Sequence, residues 1–328
     1  MDLSPGLRYK KKYVLPGGFV PGPETPGITE SFLIPSFRHV SALQKEGLQV
    51  WNGLKRKLCK AKIFVACAGA DTVGLPTLDG RVGHSGRYSC RIYCGFPGRH
   101  KPGVGVYYPV ALKPNNSTVQ NSDHPDLDIT HVGPPDPGGY MRNLALVLSS
   151  ETVTQYKANQ LLTGIVQPSI CLGFQPDSTF PIPKIFTLDL MHLCGLNLPQ
   201  LLISLWRGTL KLDQSSSGKP DFIVLDQEAI WKQHGALVAS VRSYLPGTFN
   251  RPPRNPAEKI NSGYKAIEFN TYFWVLGPAI FCLVLPHDLW THFCKLVRGI
   301  QIHTLPQCPN PITSKDSPKT AVIDGQQT

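Results

Sequence analysis

Apolar positions along this chain mostly recur at helical intervals, with a few short runs that read as strands. From Val40 to Leu58, the residues Leu43, Leu48, Trp51, Leu54 and Leu58 recur with Lys and Glu between them, which predicts an amphipathic helix. Ile63 to Ala68 is an unbroken apolar run and predicts a short buried strand, with Asp71 just past its end. Tyr107 to Leu112 predicts a second strand. Helical patterns return at Asn143–Thr163, Leu188–Trp206 and Asp226–Tyr244, the last with Asp226 as expected N-cap. They continue at Lys265–Leu285 and Trp290–Arg298. The most apolar stretch, Tyr272 to Leu285, is interrupted by Gly277-Pro278 and is too short to span a bilayer, so a buried helix is expected.

Between these elements the composition changes. Residues 1–37 are rich in Gly and Pro and predict an extended arm. Lys113 to Met141 is polar, holds Asp123, Asp126, Asp128 and the run Pro134-Pro-Asp-Pro-Gly-Gly, and predicts an irregular loop. The Ser215–Gly218 run reads as a flexible turn. From Thr304 onward the chain is Pro-, Ser-, Asp- and Gln-rich and predicts a disordered tail. No internal repeat is present.

Hydrophobic content of 41% in 328 residues excludes a wholly disordered chain. A net charge of +11 favours a polyanionic partner, nucleic acid before membrane surface. Met1 to Gly18 is basic and proline-broken, unlike a secretory signal. The nine cysteines, scattered apart from Cys90 and Cys94, are therefore expected to be free thiols in a reducing compartment, and the glycosylation-type matches at Asn115 and Asn116 carry no weight.

One segment concentrates metal-ligating chemistry. His84, Cys90, Cys94 and His100 are separated by five, three and five residues, and thiolate with imidazole is the donor set tetrahedral zinc prefers. The plainer reading is a Cys pair beside two unrelated histidines. Carboxylates near element ends form a second group: Asp71, Asp189 beside His192, and Glu268 at the start of an apolar helix. Carboxylates on rigid elements can share Mg²⁺ or Mn²⁺ for phosphoryl chemistry. Arg242, Arg251, Arg254, Lys259 and Lys265 crowd the region before Glu268 and suit a nucleic-acid backbone. Plainer roles stay open here too. Asp71 can cap a turn, Asp189 and His192 can share a structural hydrogen bond, and Glu268 can pair with Lys265.

Several long blocks then accumulate in order: Arg8-Tyr-Lys-Lys-Lys-Tyr-Val-Leu-Pro-Gly-Gly, Gly83-His-Ser-Gly-Arg-Tyr-Ser-Cys-Arg-Ile-Tyr-Cys, Asp189-Leu-Met-His-Leu, Leu201-Leu-Ile-Ser-Leu-Trp-Arg-Gly-Thr, and Tyr244-Leu-Pro-Gly-Thr-Phe-Asn-Arg-Pro-Pro-Arg-Asn-Pro-Ala-Glu-Lys. Together, from residue 1 to about 303, they resemble the fungal branch of the CACTA (En/Spm-type) DNA transposases. The resemblance implies an α/β chain: a partial RNase H-like core with the Cys/His loop module over 38–112, a loop and mainly helical insertion over 113–262, and C-terminal core helices over 263–303. It further implies metal-dependent DNA strand cleavage and transfer, DNA at transposon ends as partner, assembly as a homo-oligomer, and a nuclear location. Asp71 matches the family's second acid, and Cys90 and Cys94 its Cys pair. The Asp189/His192 pair matches a signature separate from the acid triad. Glu268 is the candidate third acid, with Glu258 as the alternative. The first acid has no counterpart except Asp2, so the expectation is an N-terminally truncated, catalytically incomplete copy. Alternatively, the chain is a non-catalytic DNA-binding protein derived from such an element.

Overall fold

A computed structural model describes residues 12, 14, 16–20, 22–24, 26–100, 104–113, 125–132, 136–210, 219–249 and 251–304. Asp2, Asn115, Asn116, Asp123, Ser215–Gly218 and the expected tail beyond Thr304 lie outside the described residues, while Thr304, the first residue of that expected tail, ends a helix. The chain is mixed α/β, mainly helical with few and short strands, and divides into two compact units, Met1–Asp189 and Leu190–Thr328.

The first unit opens with α1 (Glu30–Glu46), so the last residues of the expected arm are helical. Gly47, at φ 79°, ends the helix well before Leu58. An antiparallel hairpin follows, β1 (Leu48–Asn52) and β2 (Lys57–Ala61). Leu48, Trp51, Leu54 and Leu58 therefore keep helical spacing without being helical. The glycine and the Asn52-Gly53 turn override the periodicity. α1 docks through the Phe37–Phe174 ring stack at 5.1 Å and through buried Gln44, which donates to the Ser178 carbonyl at 2.7 Å.

The expected buried strand at 63–68 is corrected. Val65 and Ala68 make only single parallel bridges, to Thr179 and Phe186, and Phe64 and Cys67 are exposed. α2 (Leu75–Asp79) follows, then a minimal hairpin of β3 (Arg99–His100) and β4 (Tyr107–Tyr108), so the second expected strand shrinks to two residues. The helical pattern at 143–163 resolves into α3 (Gly139–Leu148) and α4 (Val153–Thr163). The break falls where Thr152 caps α4, accepting from the Gln155 N–H at 3.1 Å. Small apolar clusters around Phe186 and around Tyr140 hold this unit.

The regular elements of the second unit's described residues are all helical. Leu190–His192, a π-helical turn at Leu193–Asn197 and α5 (Leu198–Trp206) follow one another directly. α6 (Glu228–Ser240), α7 (Pro256–Lys259) and α8 (Ala266–Phe269) come next. A second π-helical stretch, Asn270–Leu276, leads to α9 (Gly277–Phe281), and α10 (His287–Thr304) closes the unit. Gln227 occupies the N-cap of α6, while Asp226 pairs with Lys219 at 2.8 Å. The core is aromatic: Trp206, Trp231, Phe269, Tyr272, Phe273, Phe281 and Phe293 interlock. The two π-helical stretches meet where the Trp274 indole N–H donates to the Cys194 carbonyl at 2.7 Å. No helix among the described residues is long and apolar enough to cross a membrane.

Candidate functional site

Glu268 organises the basic region of the second unit. Prolines at 252, 253 and 256 stiffen the approach, and Asn255 caps α7 by accepting from the Ala257 N–H at 3.0 Å. Gly235, on α6, permits this: a Cβ there would lie 2.2 Å from Asn255 Oδ1. A turn through Gly263 then brings the chain back, and Glu268, in the first turn of α8, folds over to accept from the Lys265 N–H at 3.0 Å. Arg254 donates from Nε to Oε1 at 2.6 Å and from Nη2 to Oε2 at 3.0 Å. Arg251 Nε lies 3.3 Å from Oε2. The Tyr264 hydroxyl donates to the Arg254 carbonyl at 2.9 Å, and the guanidinium sits 5.6 Å from its ring centre.

The Glu268 side chain is fully buried. Burial alone pushes its carboxyl up, but the Arg254 and Lys265 hydrogen bonds and the charges of Arg254 and Arg251 outweigh that and hold it below the usual carboxylate range. A carboxylate offers about four acceptor sites. Here Arg254 supplies two donors and the Lys265 backbone N–H a third, and Arg251 adds an ion pair, so the carboxylate is engaged by the protein's own groups. Of the expected phosphate-binding set, Arg251 and Arg254 pair with Glu268, Arg251 remaining exposed, and Lys259 and Lys265 are exposed as well. Arg242 is exposed in the turn after α6. Glu258 is exposed and accepts from Asn255 Nδ2 at 2.9 Å.

In the first unit Asp71 is exposed, and its Oδ1 accepts from the Gly74 N–H at 2.6 Å, capping the turn into α2. The acid that is deeply engaged there is Asp79, which sequence reasoning missed. Asp79 Oδ2 takes Arg81 Nε at 3.0 Å and Nη2 at 2.9 Å, with both side chains buried. Arg81 reaches on to the Cys90 and Arg91 carbonyls at 2.8 and 2.7 Å and so anchors the Cys/His segment. The spacing Asp79-Gly80-Arg81 was the available signal, with a left-handed glycine letting the two side chains meet.

That segment brings its two cysteines together but not the four expected ligands. The Cys94 thiol is pushed up by burial and by a hydrogen bond with Cys90. His100 lies against Tyr107, ring centres 5.0 Å apart, and His84 is exposed on a turn. Among the described residues no three His, Cys, Asp or Glu side chains gather in a way that would hold a metal ion. Asp189 closes the first unit and His192 opens the second, each half-buried.

Two cavities lie beside these groups. One, of about 610 Å³, is lined by Gly83, Ser85, Gly86 and Arg87, and the Arg87 Nε is buried without a partner. The other, of about 600 Å³, lies in the second unit between Met191, Arg251, Asn270 and Trp274.

Comparison with known protein families, characterised proteins and solved structures finds no match to this chain.

Proposed function

We propose that this chain is a transposon-derived protein of DNA-transposase ancestry that binds DNA and does not itself cleave it. The ordered blocks from Arg8 to Lys259 support the ancestry, and the net charge of +11 supports a DNA partner. The observation that carries the non-cleaving half is the commitment of Glu268 to Arg254, Arg251 and the Lys265 N–H. A third acid of an RNase H-like core must offer free lone pairs to a divalent ion. This one neutralises two arginines instead. Asp71 serves as a turn cap, and among the described residues the sheets have two strands each, where an RNase H-like core would supply a larger mixed sheet for its acids. The residues present do not fit a two-ion Mg²⁺ or Mn²⁺ centre. Zinc on Cys90 and Cys94 would need His84 and His100 to close on the pair. A nuclear location and self-association on paired DNA ends accompany this reading as expectations.

The test uses purified full-length chain with supercoiled plasmid and Mg²⁺ or Mn²⁺. Retarded, intact plasmid is the expected result. Nicking that disappears in Asp71→Ala protein overturns the non-cleaving reading, and failure to retain DNA at low salt overturns the DNA-binding one.

A further inference from the structure

The β1–β2 hairpin is a cationic ribbon with both faces open. Between Glu46 and Asp71 the chain carries no acidic residue but five cations, Lys55, Arg56, Lys57, Lys60 and Lys62. Among the described residues none of the five has an ion-pair partner. The register sets Trp51 opposite Leu58 and Gln49 opposite Lys60, so these four share one face. The other face carries Val50, Cys59, Asn52 and Lys57. Exposure is high where a buried ribbon would show none: Trp51 is 61% exposed, Leu58 65% and the tip residue Leu54 94%. Trp206, Trp231 and Trp274, by contrast, are buried.

The tip is built rather than loose. Asn52 Oδ1 accepts from the Lys55 N–H at 2.9 Å, and Arg56 holds φ at 45°, a left-handed conformation uncommon outside glycine. Leu54, Lys55 and Arg56 thus project together from a fixed turn. The five cations call for a polyanion, and a two-stranded ribbon is narrow enough for the major groove of B-DNA, about 12 Å wide. We infer that this hairpin docks in a groove of duplex DNA, with Lys55, Arg56 and Lys57 on phosphates and Trp51 and Leu54 against base edges or sugars. The inference rests on the DNA-binding reading above and adds the element that makes the contact. A membrane surface fits less well, because Lys55 and Arg56 directly follow Leu54 in the turn and would be carried towards hydrocarbon with it.

Fluorescence anisotropy with a duplex of about three helical turns, titrated with salt, tests the inference on the full chain. Each phosphate contact contributes roughly 0.9 to the slope of log affinity against log salt. A triple Lys55→Gln, Arg56→Gln, Lys57→Gln variant should therefore lose about 2 to 3 units of slope and bind at least tenfold more weakly. All three positions are exposed, so its melting temperature should match the parent's, and Trp51→Ala should weaken binding without changing the slope. Parent protein that binds no duplex removes the DNA-binding reading itself. Parent and triple variant binding alike remove the hairpin assignment alone. So does a triple variant that keeps DNA binding but loses sedimentation with phosphatidylserine vesicles or loses self-association by light scattering.

Discussion

His234 places its Nε2 2.7 Å from the Tyr272 hydroxyl inside the aromatic core of the second unit, while its Nδ1 is buried with no partner. The ring stacks on Phe281 at 5.0 Å and on Trp231 at 6.0 Å. Nothing there solvates a second proton, and burial lowers its pKa to about 4.

A histidine lowered in this way stabilises the fold fully above its unfolded pKa of about 6.5 and loses that contribution as pH falls towards 4. The shift corresponds to about 3 kcal/mol. Urea melts should therefore show stability falling between about pH 6.5 and 4. In His234→Phe protein the slope over that window should flatten. An unchanged slope means that His234 is solvated and the core is open.

Glu268 titrates in a separate, more acidic window. Its folded pKa lies below the unfolded value, so its contribution is complete above roughly pH 4.3 and is lost as pH falls through the lowered value. Glu268→Gln should abolish that acid-side loss while leaving the histidine window intact. Arg254→Met should lower the melting temperature more than Glu268→Gln does at neutral pH, because it leaves a buried carboxylate short of donors. Equal effects would mean that the carboxylate reaches water.

Much of this second unit was legible in the sequence. Apolar spacing located the helices at Leu188–Trp206, Asp226–Tyr244 and Lys265–Leu285, because long periodic segments bury one face regardless of their partners. Glu268 stood out as a carboxylate opening an apolar helix among arginines. Its partners were not readable, since they depend on the path that prolines 252, 253 and 256 and Gly263 impose. The hairpin at Leu48–Ala61 was hidden for a different reason. Its exposed Leu48, Trp51, Leu54 and Leu58 mimic a helix stripe, and apolar residues left in solvent give a false burial signal. Ile63–Ala68 failed similarly: an apolar run made only single bridges.

Asp71 and Asp79 separate a capping role from a buried one. Asp71→Ala removes one side-chain cap from an exposed turn and should cost about 1 kcal/mol. Asp79→Ala strands the Arg81 guanidinium in a buried site and should cost about 3–5 kcal/mol. Because Arg81 holds the Cys90 and Arg91 carbonyls, the second substitution should also make Cys90 and Cys94 react faster with a thiol reagent. Matching melting curves for the two variants would remove the anchoring role.

The cysteine pair itself provides the last comparison. Cys90 and Cys94 face each other, and burial with their mutual hydrogen bond keeps the Cys94 thiol protonated beyond its ordinary range. Zinc binds thiolate, so Cys94 must lose a proton that its burial favours keeping, and two ligands leave half the tetrahedron to water. Protein purified under reducing conditions should accordingly carry well under one zinc per chain, and Cys90→Ser should leave its melting temperature within a degree or so. Stoichiometric zinc, lost in both Cys90→Ser and His100→Ala proteins, would show that the His100 ring leaves Tyr107 and that the segment closes on an ion.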